Sequence, residues 1–415
     1  MDLVTNESIG FNPKPATLMM ADVNSCFATI EQQANPLLRG KPVVVAAYTT
    51  PGGCILTASR EAKLYGVKTG MHVYEGKKLC RNLIVLPSDP EKYRFINRKL
   101  KQVFLEFTPN VEVKSIDEMI LDFTDIPVRP GLLEVARIIK QRIKKDIGEW
   151  ITVSIGISTN RYLAKLASGL QKPDGLTTIT KENVEATLGK LKLEDLTGIK
   201  TGNAGRLRLV GITTPIEMYR SGFRDLHGAF RSICGYHWWM RLHGWEVDEP
   251  DEEEVQKTIG HSYALGIPQT TNSDGLHQIL SQLVAKMGRR LRADLCTAGG
   301  IHVSSLFTDY TYWHHAQKLC FPLYADRDLY QAACDILHHA PEKPVRLLAV
   351  TSYLLERNLY RQQTLLEGDQ RKQRVTQAID HIHDRWGECV VTSGRMLNMD
   401  QKVLDRIAFG STRSM

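Results

Sequence analysis

The stretch Val111-Glu-Val-Lys-Ser-Ile-Asp-Glu-Met-Ile-Leu-Asp-Phe123 decides the fold. Val111 to Ile116 alternates apolar and polar residues as a strand does, Asp117-Glu118 interrupts, and Met119 to Phe123 resumes as a second strand. The segment therefore reads as an antiparallel hairpin with two acids at its bend. Toward the N-terminus, Thr17 to Ala21 is an apolar run closed by Asp22, and Pro42 to Ala47 is another that ends in the Pro51 to Gly53 turn. Ser25 to Asn35 reads as a helix stopped by Pro36, and Ser59 to Tyr65 as a short helix with a hydroxyl cap and a Gly66 stop. Toward the C-terminus, Glu91 to Phe107, Leu132 to Lys145 and Thr159 to Gln171 have helical period, and Ile151 to Ile157 reads as a strand. Strands and helices in this order predict an α+β core with ferredoxin-like hairpins.

The remainder changes character. From Val184 to Trp245 strand signals vanish and glycines such as Gly198, Gly202, Gly211 and Gly222 separate helical segments, which predicts a small all-helical domain. Glu246 to Glu254 carries seven acids in nine residues, a block too charged to pack and so read as a solvated linker. Lys257 to Leu355 alternates helices (Gly275 to Asp294, Arg327 to His339) with strand runs (Gly299 to Phe307, Val345 to Leu355) and predicts a second α+β unit. The tail is helical in pattern only near Arg371 to Trp386.

With 53 Lys plus Arg against 46 Asp plus Glu in 415 residues, the net charge of +7 permits a polyanionic partner without requiring one. The eight cysteines include no C-x-x-C pair, so neither a disulfide framework nor a zinc knuckle is signalled. The N-terminus lacks a secretory pattern and no apolar stretch is long enough to span a bilayer, so a cytoplasmic protein without membrane partners is expected.

Three acids stand out. Asp22 ends a buried strand, and Asp117 and Glu118 sit at a hairpin of the same sheet. Clustered carboxylates of this kind suit Mg²⁺, and two ions would clamp the attacking and leaving oxygens of a phosphoryl transfer. Acids at strand ends also occur as plain solvated residues, so the triplet alone leaves both readings open. Thr57 to Lys63 begins a helix with hydroxyls and carries Arg60 and Lys63, a pattern that accepts phosphate or simply caps a helix. Leu196 to Ile212 reads as a two-helix hairpin with a Gly-rich turn, where Lys200, Arg206 and Arg208 add charge. The histidine pairs His314-His315 and His338-His339 point to opposite sides of their elements and read as surface or structural residues, and Trp238-Trp239 as packing.

Together these segments resemble the Y-family of translesion DNA polymerases, most closely the bacterial DNA polymerase IV (DinB) branch with some UmuC-like choices. Ala21-Asp-Val-Asn-Ser-Cys-Phe-Ala28 resembles the family's first catalytic motif and Ser115-Ile-Asp-Glu-Met119 its second. Gly40 to Val45 and Gly66 to Met71 lie between them as in the family, and the likeness runs from about Thr17 to about Leu355. It implies an α+β multidomain, right-handed polymerase. A ferredoxin-like palm would take residues 1–25 and 88–179, small fingers 26–87, and a helical thumb with a helix-hairpin-helix 180–246. An acidic linker would take 247–255, an α+β little finger 256–356, and a C-terminal tail 357–415.

By the same resemblance, Asp22, Asp117 and Glu118, with the Val23 backbone carbonyl, would hold two Mg²⁺ ions. Phe27 falls at the steric gate that excludes a ribose 2′-hydroxyl. Thr57, Arg60, Lys63 and Lys172 match triphosphate contacts, although the family usually shows Tyr at Arg60 and Arg at Lys63. Cys54 and Gly70 match positions near the templating base, and His72 stands where Pro is common. Gly198, Lys200 and Gly202 match thumb contacts to a DNA phosphate, with Lys200 replacing the usual second glycine. Gln362, Leu365 and Leu366 resemble a sliding-clamp peptide without its aromatic end. Primer-template DNA and dNTP are the implied partners of a monomer, with the bacterial sliding clamp a further one. Retention of the three acids argues against a non-catalytic DNA-binding mutasome scaffold. The Phe27 gate, the hairpin and the extra C-terminal unit argue against a nucleotidyl cyclase.

Overall fold

Every residue of the first strand, β1 (Leu18–Val23), is buried except Asp22, which is half-buried. A strand apolar on both faces has to be covered on both. This requirement organises the computed structural model, which describes residues 10–129, 131–248, 257–357, 367–387 and 390–397. The chain divides into two units, residues 1–250 with 406–415, and residues 251–405.

In the first unit β1 is followed by α1 (Cys26–Ala34), β2 (Val43–Ala46), β3 (Ile55–Ala58), α2 (Arg60–Leu64), α3 (Val73–Leu79) and β4 (Ile84–Pro87). Next come α4 (Pro90–Leu105), β5 (Val111–Val113), β6 (Glu118–Asp122), α5 (Leu132–Asp146), β7 (Val153–Ser158), α6 (Arg161–Leu170) and β8 (Leu176–Thr178). Five short helices complete it, α7 (Val184–Leu188), α8 (Thr201–Leu209), α9 (Pro215–Arg220), α10 (Phe223–Phe230) and α11 (Cys234–Leu242).

The larger sheet has the order β5-β6-β1-β7-β8, antiparallel except for β7 with β8. The path β1–α4–β5–β6–α5–β7 is the β-α-β-β-α-β pattern expected from the sequence, with residues 26–89 inserted after its first strand. Met19, Ala21 and Val23 of β1 pack with Leu100 and Phe104 of α4 and Ile139 and Ile143 of α5. On the opposite face Leu18 and Met20 meet Ile120 and Ala164 of α6. The insert forms its own sheet, β3-β2-β4, around Val44, Ile55 and Val73. The helices α7 to α11 share a core with α6, in which Trp238 meets Tyr162 edge-on.

The second unit contains β9 (Thr258–Thr270), α12 (Asp274–Ala293), β10 (Cys296–Phe307), β11 (Tyr312–Leu323), α13 (Asp326–Leu337), β12 (Pro344–Arg357) and α14 (Glu367–Trp386). Its antiparallel sheet has the order β11-β10-β12-β9. Ile301, Val303, Leu348 and Val350 of the sheet pack against Leu283 and Met287 of α12 and Leu329 and Ala333 of α13. Charge docks α14 onto this body. Arg292 bonds Asp380 at 2.6 and 2.8 Å and Asp326 at 2.7 Å, and Arg289 reaches Asp384 at 2.9 Å.

Four details depart from the sequence reading. The strand expected over Val111 to Ile116 stops at Val113, because the Lys114 and Ser115 N–H groups both donate to the Glu118 carbonyl and close the turn early. The acidic block is not solvated from its start. The Glu246 carboxylate takes the Arg161 backbone N–H and guanidinium at 3.0 Å each, and Asp248 pairs with Arg241, so opposite charges dock the first acids where apolar contacts could not. The helix expected before Gly198 is a single 3₁₀ turn, Leu193–Asp195, with the Asp195 carboxylate folded back onto the Lys192 N–H. The strands β9 and β11 had no clear signal. Both are sheet edges, rich in His, Gly and exposed polar residues.

The seven described cysteines are free thiols. Among the described residues no helix is long and apolar enough to cross a membrane. His314 and His315 do face opposite ways, toward His302 and His339 respectively. The clamp-like peptide Gln362 to Leu366 lies outside the described residues.

Candidate active site

The register of β1 with β6 brings the three acids together. Asp22 lies directly opposite Glu118, and the Val23 N–H donates to the Asp117 carbonyl at 2.9 Å. Each acid has one neighbouring donor. Lys172 Nζ donates to Asp22 Oδ2 at 2.6 Å, Ser115 Oγ to Asp117 Oδ1 at 2.5 Å, and Lys165 Nζ to Glu118 Oε2 at 2.7 Å. Burial pushes the Asp22 carboxyl up to about 6 despite Lys172, with the nearby Asp117 and Glu118 charges adding to the rise. Burial also raises Asp117, against the Ser115 hydrogen bond. Negative charge is thus held where water stabilises it poorly, at the end of a strand covered on both faces.

A group of cations faces these acids. Lys63 Nζ donates to the Ser25 hydroxyl at 2.8 Å, and its pKa is lowered by burial and then by repulsion from Lys172 and Arg60, with Asp22 opposing. The Arg60 guanidinium donates to the Thr152 hydroxyl, which donates to Asn24 Oδ1 at 3.1 Å. Asn24 Oδ1 also takes the Asp174 N–H at 2.7 Å, two residues past Lys172. One hydrogen-bonded chain therefore joins the start of α2 to the loop that carries Lys172. Arg60 thereby has a hydrogen-bond partner in Thr152 as well as a charge beside the acids.

The other expected positions lie elsewhere in the first unit. Phe27 opens α1, is 2% exposed, and stacks on Tyr93 of α4 at 4.3 Å. Thr57 lies in β3 opposite Val45. Cys54 bridges His72, and the Gly70 N–H donates to the Ile55 carbonyl at 2.8 Å with φ +89°, a conformation that favours glycine. At His72 the backbone N–H donates to Glu75 Oε2 at 2.7 Å, a bond that the more common proline could not make. Gly198 has φ +91° beside Trp238, Lys200 caps α8, and Gly202 lies in its first turn. Gly198, Lys200 and Gly202 lie within the segment of helices α7 to α11.

Sequence reading missed Lys165, Asn24, Thr152 and Tyr93. Lys165 had a signal. Arg161 and Lys165 are four residues apart on one face of α6, and both reach acids of the sheet, Glu112 and Glu118. Asn24, Thr152 and Tyr93 had none, because their partners are distant in sequence.

The impB/mucB/samB family model matches residues 21–169, and the impB/mucB/samB family C-terminal domain matches residues 256–365. The chain is 33% identical to the DNA polymerase IV of Moorella thermoacetica over 396 residues, covering 90% of this chain and 94% of that one. It is 30% identical to DNA polymerase IV 1 of Bacillus subtilis over 398 residues, covering 94% and 95%. Among solved structures it is similar to a chimera of the Y-family DNA polymerases Dbh and Dpo4, with a TM-score of 0.71 and 25% identity over 82% of this chain and 99% of that one.

Proposed function

We propose that Asp22, Asp117 and Glu118 are the catalytic centre of this chain, which belongs to the impB/mucB/samB family of Y-family DNA polymerases. The protein is a DNA-directed DNA polymerase of the translesion class, which adds dNTPs to a primer on a template. One observation carries the assignment of the centre. Three acids crowd at the end of a doubly covered strand, and three cations, Arg60, Lys63 and Lys172, crowd beside them.

Y-family polymerases depend on divalent metal, and the donor set here fits such an ion. No three His, Cys, Asp or Glu side chains among the described residues form a ready-made cage. An open set of hard carboxylate oxygens is what Mg²⁺ favours, since it keeps waters and takes phosphate oxygens. Asp22, Asp117, Glu118 and the Val23 carbonyl would hold two ions. Bound there, they supply neutralisation of the attacking and leaving oxygens during phosphoryl transfer.

The side chains of the protein do the rest. Lys172 leaves Asp22 for the incoming triphosphate, joined by Lys63, Arg60 and Thr57, so that each group of like charges is relieved by a ligand of opposite charge. Ser115 and Lys165 keep Asp117 and Glu118 oriented. Phe27 closes the sugar pocket to a 2′-hydroxyl, and Cys54 and Gly70 leave room at the templating base. In this reading residues 1–25 and 88–179 are assigned to the palm, 26–87 to the fingers, 180–246 to the thumb and 256–356 to the little finger. Gly198, Lys200 and Gly202 contact a DNA phosphate. Primer extension with dNTPs and Mg²⁺ tests the centre. The wild-type chain extends and Asp117→Ala does not; extension by that variant at the wild-type rate would refute the assignment.

A further inference from the structure

The first two turns of α1 present Phe27 and Glu31, four residues apart and therefore on one face, and α4 meets both with a single side chain. The Phe27 and Tyr93 rings stack with centroids 4.3 Å apart and planes 11° from parallel. One turn along, the Tyr93 hydroxyl donates to Glu31 Oε1 at 2.9 Å. The second carboxylate oxygen, Oε2, takes Lys92 Nζ at 2.8 Å, and Lys92 also pairs with Asp89, the N-cap of α4. Tyr93 and Glu31 are both buried. An acid at such a position is costly to bury, and replacing a buried charge pair as a whole by apolar residues is often neutral or stabilising. Stability therefore does not explain Glu31.

Its geometry does. A ring held by stacking alone can slide over its neighbour at little cost, whereas a ring whose far end is hydrogen-bonded cannot. We propose that Glu31 and Tyr93 are positioning residues for sugar selection. The Glu31 carboxylate fixes Tyr93, and the Tyr93 ring fixes the plane of Phe27, so that Phe27 cannot yield when a ribonucleoside triphosphate brings its 2′-hydroxyl. This rests on the reading of Phe27 as the sugar gate.

The test is single-nucleotide primer extension, with kcat and KM measured separately for dCTP and rCTP. Tyr93→Phe keeps the stack and removes the hydroxyl. Glu31→Met removes the acceptor at similar size, and Glu31→Gln keeps one. Phe27→Ala reports on the gate itself. Tyr93→Phe and Glu31→Met each lower the preference for dCTP over rCTP by about three- to tenfold, the effect of one lost hydrogen bond. The change lies in kcat for rCTP, and kcat/KM for dCTP stays within about twofold. Glu31→Gln restores most of the preference. The Tyr93→Phe/Glu31→Met double variant goes no further than either single one, because the two residues act as a unit. Phe27→Ala lowers the preference by roughly a hundredfold or more, the loss of a specific steric contact.

If the preference is unchanged in Tyr93→Phe and Glu31→Met while Phe27→Ala collapses it, the positioning role is overturned and the gate stands. Unchanged preference in Phe27→Ala removes the gate and the inference with it. Equal losses for both nucleotides would mark Glu31 and Tyr93 as structural only.

Discussion

The two largest sheets of the molecule are built from similar parts and differ in what they leave uncovered. The first sheet buries β1 on both faces, with α4 and α5 on one side and α6 on the other, and leaves polarity only at its end, at Asp22 and its neighbours. The sheet of the second unit is covered by α12 and α13 on one face, while half-exposed residues such as His302, Ala349, Thr351 and Tyr353 alternate onto the other. Double coverage makes an end-of-strand carboxylate difficult to ionise, so the first sheet holds acids under strain. In the second unit the paired charges lie on the covering helices instead, where Arg292 meets both Asp326 and Asp380.

The largest effect should come from removing a strained acid. Asp117→Asn should slow primer extension by about a thousandfold or more, as removal of a charge that acts in the transition state does, while leaving primer-template affinity within about twofold. A matching loss of affinity would make Asp117 a binding residue instead. In the second unit, Arg292→Ala should cost about 3–5 kcal/mol in denaturant unfolding, because Asp326 and Asp380 lose their buried partner. A cost under about 1 kcal/mol would erase the contrast between the sheets.

The third effect is a pH dependence whose sign follows from Asp22. Its carboxyl sits at about 6 in the folded chain against 3.8 for the free group, so between these values the folded chain binds the proton more tightly. The Asp22 contribution to stability is therefore most favourable below pH 4, falls as pH rises through 4 to 6, and is lost above 6. The loss is at most about 3 kcal/mol. Unfolding in chelator at a series of pH values checks it against Asp22→Asn, which should lack this component. The smallest effect concerns the link to α2. Thr152→Val should raise KM for dNTP by about threefold, one hydrogen bond in a chain, with kcat little changed. An unaltered KM would detach the link from substrate binding.

Local signals explain what the sequence revealed of this. The apolar run at Thr17 to Ala21 and the acids at Asp22, Asp117 and Glu118 were legible because a strand buried on both faces reads as continuous hydrophobicity that stops at charge. The central strands β10 and β12 were legible from the apolar residues they turn to the helices, and the edge strands β9 and β11 were not, since an edge needs no apolar period. The anchoring of Glu246 and Asp248 was hidden because composition reports charge and not its partner. The Tyr93 and Thr152 contacts were hidden because each partner lies 62 or more residues away in the chain, at Phe27, Glu31, Arg60 and Asn24.

In this reading the first sheet gives up stability to hold acids for catalysis. Asp22→Asn tests it in a single preparation, by thermal unfolding in chelator at pH 7.5 alongside primer extension with Mg²⁺. An unfolding midpoint raised by the equivalent of about 1–3 kcal/mol, together with extension slowed by about a thousandfold, is the expected result. A lowered midpoint, or extension at the wild-type rate, would contradict it.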